Sequence, residues 1–257
     1  MLKKTGLLIT LLVLAIFVAL GSVSGESLSG NEVLNKVSEV SEAETVQITF
    51  EMEIHGSRGG VRNRELEVLG KEGEREKRLI RFLAPADIAG TGLLSIEEND
   101  EEDMHLYLPA LDSVRRIVSD EKSDRFMETD FTYNDLALFG GGNYSEDYQA
   151  EVLEKTAEDY LLEIIPVNED IEYSYGEMRV DSNDWYPREI KFYDQSGELY
   201  KILTNDEIKM VDSNLTAHKV KMEDVQRKTK TILYLTEVSF DKEIEVDKFT
   251  VRYLRRY

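Results

Sequence analysis

Val46-Gln47-Ile48-Thr49-Phe50-Glu51-Met52-Glu53-Ile54 decides how this chain is read. Apolar and polar residues alternate at every position. Successive side chains of a strand point to opposite faces, so this stretch has one apolar face and one wet face. On the N-terminal side the period changes. Val33, Val37 and Val40, with Leu34 beside them, make one apolar stripe at helical spacing, which predicts a helix over 28–40 capped by Ser29 or Asn31. On the C-terminal side Gly56-Ser57-Arg58-Gly59-Gly60 is a turn.

The period of two then recurs. Arg64–Leu69 and Arg78–Leu83 are strands, the second stopped by Pro85. Gly92–Glu97 and Asp103–Leu108 make a hairpin around the acidic turn Glu98–Glu102. Tyr160–Val167, the stretches around Met178, Ile190 and Val220, Leu199–Leu203, Ile208–Met210 and Thr231–Phe240 continue the series, and Asp247–Thr250 reads as one helical turn. About ten or eleven strands at short spacing predict a mainly β fold with a few helices, an antiparallel meander with one face buried. A sheet of more than about 10 strands curls. Phe50, Met52, Met104, Phe192, Met210 and Met222 recur on the inward positions, and methionine adapts to irregular apolar partners. A curled sheet with such an interior is filled by its own side chains or holds a ligand.

Composition narrows the function. The chain has 257 residues, with 52 Asp and Glu against 31 Lys and Arg, a formal net charge of −21, and no Cys. That excludes a disulfide scaffold and thiolate zinc sites, and it argues against phosphate-backbone binding, so no nucleic acid is expected. Residues 1–25 read as an export signal, with Lys3 and Lys4 ahead of the apolar run Leu7–Leu20 and small residues up to Gly25. The run is shorter than the ~20 residues of a membrane span, an uncleaved anchor being the other reading. Residues 26–257 carry no linker or repeat and read as one domain. The mature chain is expected outside the cytoplasmic membrane.

Catalytic signals are missing. His55, His105 and His218 form no metal motif, Gly140-Gly141-Gly142 lacks the residues of a phosphate cradle, and neither Ser95 nor His105 has a nucleophile–base partner in sequence. No enzyme, no cofactor and no metal are expected.

Residues 78–136 hold the most specific series: Arg81-Phe82-Leu83-Ala84-Pro85-Ala86-Asp87-Ile88-Ala89-Gly90-Thr91-Gly92-Leu93-Leu94, Tyr107-Leu108-Pro109, Arg115-Arg116-Ile117 and Phe126-Met127-Glu128-Thr129-Asp130-Phe131-Thr132-Tyr133-Asn134-Asp135-Leu136. Phe126, Phe131, Tyr133 and Leu136 are read as plugging one end of a barrel, and Arg115 and Arg116 as pointing to opposite faces of a strand. The series resembles the exported outer-membrane lipoprotein-sorting family, the LolA-like proteins. Glu128 departs from that family, which more often has a small residue there, usually glycine, and no counterpart of the arginine that latches the lid of the periplasmic carrier is found.

The resemblance implies a LolA/LolB-like half-barrel of antiparallel strands covered by helices, with an apolar cavity for the acyl chains of lipoproteins or related lipids. On that basis Phe50, Met52, Phe82, Leu94, Met104, Leu106 and Phe192 are the expected cavity lining. The expected function is non-enzymatic carriage of acylated lipoprotein or lipid cargo by a monomer in the periplasm or at the outer face of the cytoplasmic membrane. The alternative is an envelope adaptor that partners a lipid-export membrane permease, with Arg115 and Arg116 as its contacts.

Overall fold

The computed structural model describes residues 28–40, 43–73, 75–98, 101–138, 144–167 and 171–256. The expected export signal, the glycine triplet 140–142 and the 99–100 part of the acidic turn lie outside the described residues. Helix α1 spans Gly30–Ser38. Six strands follow: β1 Thr45–His55, β2 Val61–Lys71, β3 Lys77–Ala84, β4 Gly92–Glu98, β5 Glu101–Leu108 and β6 Ser113–Ile117. After short helical turns come β7 Tyr148–Lys155, β8 Asp159–Pro166, β9 Tyr175–Asp181, β10 Pro187–Tyr193, β11 Leu199–Val211, β12 Asn214–Asp224 and β13 Thr229–Phe240. The C-terminus ends in the short helix α4, Val251–Leu254.

All 13 strands belong to one sheet, in the order β6-β5-β4-β3-β2-β1-β13-β12-β11-β10-β9-β8-β7. Two meanders are joined along the antiparallel β1–β13 seam, where Met52 faces Leu233 and Val46 faces Phe240. The edge strands β6 and β7 are not paired with each other, so the sheet curls without closing. The fold class read from the sequence, a mainly β, curled antiparallel half-barrel, is the fold observed. Strand β7 was not expected. Its alternation is short and is broken by a bulge between Val152 and Glu154.

The alternation in β1 does what its pattern dictates. Val46, Ile48, Phe50, Met52 and Ile54 are buried on the concave face. They join Leu66, Val68, Ile80, Phe82, Leu93, Met104, Leu162, Met178, Ile190, Leu203 and Met222 in the main core. Helix α1 closes over one end of that face with Val33, Leu34 and Val37. Ser29 caps it in a reciprocal pair with Glu32, the Ser29 N–H donating to the Glu32 carboxylate at 2.7 Å. Asn31, the other expected cap, instead accepts the Ala150 N–H at 2.8 Å and ties α1 to β7. Gly30 is required at this junction, because a Cβ there would sit 2.2 Å from the Ala150 carbonyl oxygen.

The convex face is not wholly wet. Leu69, Leu79, Leu94 and Tyr107 form a second apolar cluster under Ile244, Phe249 and Leu254 of the C-terminal segment. The buried Arg81 guanidinium donates to the Tyr253 and Leu254 carbonyls at 3.1 and 3.3 Å, which caps the end of α4. The expected helical turn at 247–250 is two pieces, a 3-10 turn over Val246–Lys248 and α4.

Candidate functional site: the covered concave face

Of the expected cavity lining, Phe50, Met52, Phe82, Met104, Leu106 and Phe192 lie together on the concave face, all buried in the main core. Leu94 does not. The pleat turns Leu93 inward and Leu94 outward, and Leu94 packs in the convex cluster. Met210 also leaves the inward set, because it lies near the β11–β12 turn and is 63% exposed. Ser95 and His105 cannot act as a pair. Ser95 lines the concave side beside Met104, whereas His105 stands opposite Leu94, whose side chain belongs to the convex cluster. Among the described residues no group of three or more His, Asp or Glu is placed to hold a metal ion.

Part of the hollow is occupied by the chain itself. Between β6 and β7 the backbone crosses the concave face as the short helix α2, Ser119–Lys122, and 3-10 turns over Phe126–Glu128 and Asn134–Leu138. Phe126, Phe131, Tyr133 and Leu136 are buried in the main core, as their aromatic content predicts. Phe126 stacks on Phe82 with ring centroids 5.6 Å apart and meets Tyr133 edge-on at 5.5 Å. A small opening beside this cover, about 10 Å³ for the centre of a water-sized sphere, is lined by Arg78, Ile80, Leu93, Ser95, Glu102, Met104 and Leu136. That is room for about one water molecule, so this opening by itself does not take an acyl chain.

Two buried carboxylates fasten the cover. The Asp130 carboxylate accepts the Thr231 hydroxyl at 2.7 Å, and the Asp130 N–H donates back to Thr231 Oγ1 at 2.9 Å. Thr229 donates to the other carboxylate oxygen, and Arg125 lies 3.3 Å from it. Asp135 receives more. Its Oδ1 accepts the Tyr173 hydroxyl at 2.8 Å. Its Oδ2 accepts the Thr132 N–H at 2.8 Å and the Lys201 ammonium at 3.2 Å. Lys201 also donates to the Tyr173 hydroxyl oxygen at 3.1 Å and lies 3.7 Å from Glu172. The Tyr173 ring is held in place by stacking on Phe192, with centroids 4.3 Å apart.

Burial works against a charge on Lys201, but the Asp135 carboxylate, Tyr200 and Glu172 outweigh it and hold the ammonium above the ordinary lysine pKa. Burial raises Tyr173 well above its usual value, and the Asp135 negative charge adds to the shift. Burial with the neighbouring carboxylates Glu76, Glu102 and Glu146 pushes Glu97 up to about 7. Asp147, in the short helix α3, Tyr144–Asp147, is raised to about 6 by burial and the same three neighbours.

Sequence reasoning missed Asp130, Asp135, Tyr173 and Lys201 as working residues. One signal was present: Lys201 shares strand parity with Leu203, which puts it on the apolar side. Arg115 and Arg116 do point to opposite faces, as expected. Arg115 pairs with Glu121 at 2.7 Å and Arg116 with Asp103 at 2.5 Å.

The turn at Glu128 is unusual. Met127 and Glu128 have φ of +48° and +63°, a left-handed conformation that glycine adopts without strain. Here arginines hold it: Arg64 donates to the Met127 carbonyl at 2.6 Å, Arg125 to the Glu128 carbonyl at 3.0 Å, and Arg62 pairs with the Glu128 carboxylate.

A family model described only as that of an uncharacterized protein matches residues 74–256. No curated protein matches the chain. Among solved structures, a domain described as an outer membrane lipoprotein-sorting protein from Vibrio parahaemolyticus is 30% identical, with a TM-score of 0.80 over 88% of this chain and 98% of that one. A DUF1329 family protein from Desulfovibrio piger is 23% identical, with a TM-score of 0.81 over 88% of this chain and 97% of that one. A LolA superfamily protein from Nitrosomonas europaea is 18% identical, with a TM-score of 0.71 over 88% of this chain and all of that one. The last two establish a shared fold.

Proposed function

Because the chain belongs to the LolA-like family of outer-membrane lipoprotein-sorting proteins, we propose that it is a non-enzymatic carrier of acylated lipoprotein or lipid, working outside the cytoplasmic membrane. The observation that carries this reading is the cover. A segment at 119–138, distinct from the strands, fills the concave face with its own aromatic and aliphatic side chains. An acyl chain that displaced Phe126, Phe131, Tyr133 and Leu136 would meet a floor of Phe50, Met52, Phe82, Met104, Leu106 and Phe192. Burial of its methylenes, at roughly 0.8 kcal/mol each, would replace what the cover loses. The apolar run Leu7–Leu20 behind Lys3 and Lys4, read as an export signal, supports this location, and no helix among the described residues is long and apolar enough to cross a membrane. The net charge of −21 keeps such a carrier off anionic lipid surfaces and off nucleic acid. A role as permease adaptor would rest on Arg115 and Arg116, which are engaged in ion pairs within the chain, so the carrier reading is favoured. We take the working unit to be a monomer.

The test is titration of delipidated protein with a fluorescent hexadecanoyl probe. Saturable uptake is expected, reduced at least tenfold by Met104→Glu on the concave face and unchanged by Met210→Glu at the exposed turn. A folded, delipidated wild-type protein that takes up no probe would sink the proposal.

A further inference from the structure

Lys201 stands out among the residues of the concave face. It is 1% exposed; its strand neighbour Leu203 and its β10 partner Phe192 are apolar, while its β12 partner is the buried Asp224, whose carboxylate accepts the Arg227 N–H at 2.8 Å and lies 3.4 Å from the Arg227 guanidinium. Its partners come from two parts of the chain that must separate when the cover lifts. Lys201 belongs to strand β11 of the half-barrel and Tyr173 to the connection just ahead of β9, whereas Asp135 belongs to the cover. Opening therefore removes the carboxylate and leaves the Lys201 ammonium and the Tyr173 hydroxyl aimed at the same vacated position. Glu172 stays behind, but it lies 3.7 Å from the ammonium and its Oε1 accepts no hydrogen bond. A buried cation that loses its hydrogen-bonded carboxylate and keeps only the longer contact to Glu172 is penalised. A neutral hydrocarbon tail offers nothing to either donor.

The Asp130 seat differs. There the donors on the sheet side are the Thr229 and Thr231 hydroxyls, which carry no charge and can turn to other acceptors. Of the two seats, the one at Lys201 demands an anion.

We propose that the ligand of the concave face carries an acidic head, carboxylate or phosphate, and that this head takes the place beside Lys201 and Tyr173 that the Asp135 carboxylate holds while the cover is shut. The inference rests on the carrier reading and names the chemical class of its cargo. The cover thereby acts as a built-in stand-in for the ligand, with aromatic and aliphatic side chains where the tail lies and a carboxylate where the head lies.

The test compares palmitate, monopalmitoyl lysophosphatidate and palmitic acid methyl ester, each titrated below its aggregation limit at pH 8 against delipidated protein. The two acids are expected to bind at least ten times more tightly than the ester. The double variant Lys201→Met/Asp135→Asn replaces the buried pair by neutral groups of similar size, which keeps the fold available, and in it acids and ester are expected to bind alike. Asp135→Asn alone keeps Lys201 and should bind all three more tightly with the preference for acid retained. An ester that binds wild-type protein as tightly as palmitate, or a preference that survives the double variant, would overturn the acidic head while leaving the carrier intact. Failure of all three ligands to bind would overturn the carrier reading and this inference together.

Discussion

The C-terminal cover on the convex face and the 126–136 cover on the concave face each bury apolar strand residues, and they are fastened by different chemistry. On the convex side Ile244, Phe249 and Leu254 sit on Leu69, Leu79, Leu94 and Tyr107, and the polar contribution is Arg81 donating to two neutral carbonyls. On the concave side the aromatic residues are accompanied by two buried carboxylates, one of them in a buried ion pair. A buried ion pair contributes little more stability than well-packed apolar groups of the same size, and it fails badly when one partner is lost. The concave cover is therefore conditional on particular side chains, whereas the convex cover meets its buried Arg81 with backbone carbonyls that any residue supplies. That is the property the carrier reading requires of the concave cover.

The contrast makes its largest prediction at Asp135. Asp135→Ala strands the Lys201 ammonium and the Tyr173 hydroxyl, and denaturant unfolding should show a loss of about 3–5 kcal/mol together with new binding of an apolar dye to the concave face. A loss below about 1 kcal/mol would erase the distinction between the two covers. Leu254→Ala comes next. It should cost about 2–4 kcal/mol through the cavity it leaves, with no gain in dye binding, since nothing charged is stranded. Dye binding equal to that of Asp135→Ala would mean that both covers open alike. The smallest effect belongs to Glu128→Gly. Relief of the left-handed backbone is worth about 1 kcal/mol or slightly more, set against an exposed Arg62 pair worth about 0–1 kcal/mol. A thermal melt should move up slightly or stay in place, and a fall of several degrees would show that the Arg62 contact holds the cover.

Where one face of a strand is wet, as along Val46–Ile54, the sequence was sufficient to assign the buried side chains. Where both faces are covered, parity lost its meaning. Leu93 and Leu94 are both apolar because β4 lies between the two covers, so Leu94 could not be told from a concave residue. Phe126, Phe131, Tyr133 and Leu136 were legible as a plug from their aromatic and aliphatic content alone. Their fastening was not, because Lys201 lies 66 residues from Asp135, and Thr231 lies 101 residues from Asp130. A lysine in a strand of acidic protein reads as solvated until its partner is brought to it by the fold.

A fully closed barrel has its girth set by strand number and stagger. This sheet ends in two margins, β6 and β7, that are not laced to each other. Its girth can therefore widen or narrow by small changes of twist spread over many strands, without one rung of backbone pairing being broken. On the carrier reading, the same wall would grip a guest with a single thin tail and a bulkier one.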